Sequence, residues 1–115
     1  MKKEVADKWT KALRSGKYEQ GTNYLVHADM HCCLGVLCKL AIKDGVKLKV
    51  ETGQTGTMAF DGEEQTLPHT VVAWAGMSSY QGVYDDKENS LAILNDGGKP
   101  FEHIAKLIEE NWEVI

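Results

Sequence analysis

HCCLGVLCKLAI, from His31 to Ile42, is the one stretch of this 115-residue chain that is apolar nearly all the way round. On a 3.6-residue period Cys33, Leu34, Leu37, Cys38 and Ala41 form one stripe, and Val36 and Leu40 widen it onto the next face. That pattern predicts a buried central helix against which the other elements must pack. Asp29 stands where an N-cap would accept backbone N–H bonds, and Lys39 and Lys43 lead into Asp44-Gly45, a positively charged last turn followed by a glycine stop. Gly35 inside the pattern costs about 1 kcal/mol relative to Ala, so another element is expected to approach closely there.

Working outward, the length and the 43% hydrophobic content suit one domain, residues 1–115, with a real core. Thirteen basic residues against seventeen acidic ones leave a net charge of −4. Duplex nucleic acid and anionic membrane surfaces demand a surplus of Lys and Arg, so neither is an expected partner. A small anionic ligand needs only a local cluster of donors and stays open. Cys32, Cys33 and Cys38 are odd in number and crowd one helix, which suits reduced thiols in a cytosol and not a disulfide framework. The opening MKKEVADKW has no apolar run and no other run reaches about 18 residues, so neither a signal peptide nor a membrane span is expected.

On the N-terminal side, Val5, Trp9, Ala12 and Leu13 recur at helical spacing and Ser15-Gly16 ends the segment. Lys17 to Met30 reads as a loop or short strand. On the C-terminal side, Val46, Leu48 and Val50 alternate with polar residues as in a half-buried strand. Gly53 to Gly56 makes a turn, and Asp61-Gly62 is the dipeptide favoured in two-residue hairpins between Thr57–Phe60 and Glu63–Leu67. Pro68 opens a short helix that ends at Gly76, Met77 to Asn89 has the composition of a mobile loop, and Leu91 to Leu94 is a brief strand or helical turn. Pro100 then opens a last helix with Phe101, Ile104, Ala105, Leu107, Ile108 and Trp112 on one face, expected to pack on the central helix. The fold class is α+β, with about three main helices on a short antiparallel sheet.

Two kinds of chemistry are open to these residues. Cys32 at a helix start is placed for a lowered thiol pKa, and His69, Asn95 and Asp96 follow in the order of a papain-like cysteine hydrolase. Against this, buried free cysteines commonly act as small hydrophobes, and packing is the default for Cys33 and Cys38. Zinc is the weaker reading of the His27, His31 and cysteine group, because no second ligand knuckle exists. The other kind is a ligand pocket of aromatic, amide and guanidinium groups: Arg14 with Tyr18 and Gln20, Trp74 with Tyr80, and Asn95 with Asp96. Aromatic faces stack on bases, Arg holds phosphate in a fork, and amides read base edges. Their structural alternatives are a charged helix end for Arg14 and turn chemistry for Asn95-Asp96.

Four blocks, WTKALRSGKYEQ (Trp9 to Gln20), CCLGVLC (Cys32 to Cys38), LPHTVVAW (Leu67 to Trp74) and L-x2-LND-x-G-x2-F-x2-IA-x2-I (Leu91 to Ile108), resemble a widespread family of small bacteriophage proteins. The resemblance covers most of the chain; the one departure is Lys39, where an acidic residue is expected. It implies an immune-evasion sponge, a non-enzymatic homo-oligomer that binds a cyclic dinucleotide such as cyclic GMP-AMP and so blunts antiviral systems of the CBASS type. It implies no cofactor, no metal, and a location in the cytoplasm of the infected bacterial host. A protein-binding inhibitor of a host defence factor is a further alternative.

Overall fold

In the computed structural model, which describes residues 1–115 throughout, the chain runs α1 (Lys3–Arg14), β1 (Glu19–Gln20), β2 (Val26–His27), β3 (Met30–His31) and α2 (Cys33–Lys43). It continues through β4 (Val50–Thr52), β5 (Thr57–Phe60), α3 (His69–Ala75), α4 (Leu91–Asp96) and α5 (Phe101–Asn111). The fold is α+β, as expected, with α1, α2 and α5 as the main helices. The five strands form one sheet in the order β1-β3-β2-β5-β4. It is mixed and not wholly antiparallel, because β1 runs parallel to β3 while the other pairs are antiparallel.

Cys33, Leu34, Val36, Leu37, Cys38 and Ala41 of α2 are all fully buried. Burying each of Leu34, Val36 and Leu37 stabilises the fold by about 1.5–3 kcal/mol, which outweighs the ~1 kcal/mol helix penalty of Gly35. Gly35 is required by its neighbour. A Cβ there would fall onto the carbonyl oxygen of Leu25 and 2.6 Å from its carbonyl carbon. The Leu25 carbonyl also accepts the Cys32 N–H at 3.1 Å, so the loop before β2 is stitched to the start of the helix. On α1, Val5, Ala6, Trp9 and Leu13 make the buried stripe, and the Trp9 indole donates to the Cys33 carbonyl at 2.9 Å.

Four expectations need correction. The N-cap of α2 is Cys32, whose Sγ accepts from the Gly35 N–H at 3.4 Å. Asp29 instead follows Ala28 in a two-residue turn joining β2 to β3, with φ of 50° and 63°; tight hairpins demand this left-handed pair, and Asp tolerates it. The alternating Val46–Val50 segment becomes a strand only at Val50, because the Val46 N–H closes the end of α2 on the Ala41 carbonyl. Asp61-Gly62 does form a turn with φ of 51° and 84°, but only one bridge, Phe60 to Glu63, follows it, so no second arm grows. Finally, α5 packs chiefly on α1 and not on α2. The buried stripes of α1 (Val5, Trp9, Leu13) and α5 (Ile104, Ala105, Ile108) share one core, and at its exposed margin Arg14 reaches Glu102 and Glu109, one heptad apart.

Met77 to Asn89 holds itself in place through Asp85, which accepts from the N–H groups of Lys87 and Asn89, and through Ser79 Oγ, which accepts from Val83. Ser90 N-caps α4 on the Ile93 N–H, and Gly76 ends α3 in the left-handed conformation at φ 68°.

Candidate functional site

The amides Gln20 and Asn95 come together, and both are fully engaged inside the fold. Asn95 is completely buried. Its Oδ1 accepts from the Cys33 N–H at 3.1 Å and from Gln20 Nε2 at 3.0 Å, while its Nδ2 donates to the Gly21 carbonyl at 2.8 Å. Gln20 Nε2 also donates to the Lys99 carbonyl at 2.7 Å, and its Oε1 accepts from the Phe101 N–H at 3.1 Å. Thus Asn95 satisfies an orphan donor at the start of α2, Gln20 does the same for α5, and the two amides bond each other. Asp96 accepts from the Asn23 N–H at 2.8 Å. No donor pair is left over to read a base.

Arg14 is likewise engaged. Its Nε lies 2.9 Å from a Glu102 oxygen and its terminal nitrogen 2.7 Å from Glu109, which raises the Arg14 pKa and lowers that of Glu109. Tyr80, 47% exposed, stands beside His69 with its hydroxyl 3.4 Å from Nδ1, and makes no ring pair with Trp74.

A group of cations gathers elsewhere. Between α1 and the end of α2 lies an open groove of about 430 Å³, lined by Lys8, Lys11, Lys17 and Lys43 together with Tyr18, Leu40 and Asp44. Lys11, Lys17 and Lys43 have no carboxylate partner, whereas Lys8 Nζ pairs with Asp44 Oδ1 at 3.2 Å. The other Asp44 oxygen accepts from the Trp74 indole N–H at 2.9 Å, and Trp74 and Lys8 hold this carboxyl below its ordinary pKa. Tyr18, half-buried, stands edge-on to His31 with ring centroids 5.1 Å apart. Burial, and then Lys39, lower the His31 pKa, and its Nδ1 is buried without a partner. A larger, shallower depression beside Tyr24 carries Glu63 and Glu64, a lining that repels anions. In a chain of net charge −4, four lysines around one groove make it locally positive.

Cys32, 5% exposed, has its thiol pushed up to about 11 by burial, and burial raises Cys33 and Cys38 as well. At neutral pH a thiol of this kind is protonated, the opposite of an activated nucleophile. No three His, Cys, Asp or Glu side chains gather in a geometry that holds a metal ion. No helix is long and apolar enough to cross a membrane.

A family model described as a domain of unknown function (DUF8296) matches residues 1–112. The chain belongs to the DUF8296 family. No curated protein and no solved structure matches it. In this DUF8296 chain the amides prominent in the sequence, Gln20 and Asn95, are scaffold, and the lysines are what sequence reasoning passed over. A signal for them existed: Lys8, Lys11 and Ser15 recur at i, i+3 and i+7, flanking the buried stripe of α1. Lys11 and Lys43 also occupy last turns, where a cation offsets the helix dipole, and that ordinary role conceals the shared groove.

Proposed function

We propose that the protein binds a cyclic dinucleotide in the lysine groove and releases it unaltered. One observation carries the reading: Lys8, Lys11, Lys17 and Lys43 face one cavity with a single carboxylate among them. Ammonium groups suit phosphodiesters, which stay ionised at any physiological pH, and Tyr18 offers a ring at the same wall. Relative to the pocket expected from sequence, the phosphate contact moves from Arg14, held by two carboxylates, to the lysines. Trp74 enters through Asp44, and Gln20, Asn95 and Asp96 act as supports.

The same chemistry supports binding without turnover. The one thiol at a helix start is buried and protonated, and the groove itself offers ammonium groups that neutralise charge. An open groove of about 430 Å³ is small for a ligand with two bases, so a second copy of the chain supplies the facing wall, and the binder is a homo-oligomer. Together with the resemblance to bacteriophage proteins, this makes the protein a sponge for the nucleotide signals of CBASS-type defence, acting in the infected bacterial cytoplasm.

The test is calorimetry with cyclic GMP-AMP, followed by heating the complex and chromatography of the released ligand. Heat of binding with intact ligand recovered is the expected result. No heat at high ligand concentration removes the sponge reading, and a linearised product shows an enzyme.

A further inference from the structure

Asp44 is out of place in an anion groove. It caps the C-terminal end of α2, where a negative charge opposes the helix dipole, and it weakens the field of the surrounding lysines. Yet it is held firmly. Its backbone N–H donates to the Leu40 carbonyl at 2.9 Å, and its carboxylate is clamped between the Trp74 indole at 2.9 Å and Lys8 Nζ at 3.2 Å. The two clamping groups come from α3 and α1, so the carboxylate keeps one orientation at the groove wall.

Each carboxylate oxygen has two acceptor sites, and Trp74 and Lys8 occupy one on each. One acceptor site stays open on each oxygen, enough capacity for two further N–H donors. Among the bases, guanine presents two adjacent donors on its Watson–Crick edge. Adenine presents a donor beside a ring nitrogen, whose lone pair would face the carboxylate. Accepting the first and repelling the second is discrimination of both signs by one group.

We infer that Asp44 makes the lysine groove select guanine-bearing phosphodiesters over equally charged ligands, with Trp74 as the residue that positions the carboxylate. This rests on the nucleotide-binding reading above. The lysines supply affinity for any diester, and Asp44 supplies the choice of base.

Cyclic di-GMP and cyclic di-AMP carry the same two phosphates and differ only in their bases, so their affinities for the full-length protein test the point directly. The wild type is expected to bind cyclic di-GMP about tenfold tighter or more. Asp44→Asn should bring the ratio close to one while strengthening the binding of pyrophosphate, which carries no base. Trp74→Phe, which keeps a ring but loses the N–H, should lower the ratio with pyrophosphate binding unchanged, an effect that a purely structural ion pair would not produce. Thermal melts confirm that each variant is folded. Equal affinities in the wild type, a preference for cyclic di-AMP, or a ratio unmoved by Asp44→Asn overturns the role of Asp44 and leaves the sponge reading standing. Failure of both dinucleotides to bind overturns the two together.

Discussion

The amide knot of Gln20 and Asn95 and the lysine groove are both clusters of polar side chains from distant parts of the chain, yet they are opposites in how their hydrogen-bonding capacity is used. In the knot every strong donor and acceptor meets a partner of the protein itself, and one member is completely buried. In the groove three of four ammonium groups have no carboxylate, and all four face solvent. A buried polar group left unpaired costs more than its bond contributes, so the knot is a condition of folding. An exposed ammonium loses little by lacking a partner, so the groove is free to serve a ligand.

The largest effect expected from breaking this contrast lies at Gly35, which lets the knot's helix meet Leu25. Gly35→Ala should lose ~3 kcal/mol or more in urea unfolding, because the added atom strikes backbone that cannot swing aside. A midpoint equal to the wild type would mean that the loop is not stitched to α2. Next comes Asn95→Ala, which strands the Cys33 N–H and the Gly21 carbonyl; about 2–3 kcal/mol should be lost, with groove binding intact in the folded fraction.

Arg14→Gln should cost about 1 kcal/mol at most, since its partners are largely exposed. It should leave cyclic dinucleotide affinity unchanged, and a loss of affinity would return Arg14 to the site. The same variant tests a pH effect. Because Arg14 lowers the Glu109 pKa in the folded chain, the stabilisation is complete above the ordinary carboxylate pKa and fades as pH falls through the lowered value. Arg14→Gln should flatten that acid limb. The smallest change in stability, within ~0.5 kcal/mol, is expected for Lys11→Gln and Lys43→Gln, where only ligand affinity should fall, and fall more at low salt than at high.

The helical framework was legible because apolar periodicity is a property of each segment alone. The stripes of α1, α2 and α5 and the requirement for a close approach at Gly35 all came through. Pairing between segments was not. Whether α5 lies on α1 or α2 depends on which apolar stripe its own stripe meets in three dimensions, and nothing in either helix announces the other. The candidate site failed in the same way. Gln20 and Asn95 carry the chemistry of base recognition, and only their placement beside two helix starts reveals that this capacity is used internally. Lysine on a helix surface is ordinary in one dimension, and it acquires meaning only when Lys17 and Lys43 arrive from other segments.

One consequence of the Gln20–Asn95 bond concerns motion. Two helix starts from different parts of the chain share a single hydrogen-bonded latch, so neither can fray by itself. In native-state hydrogen exchange, the amides of Cys33 and Phe101 should open with one common free energy, rather than with the separate, low values of two independent helix ends.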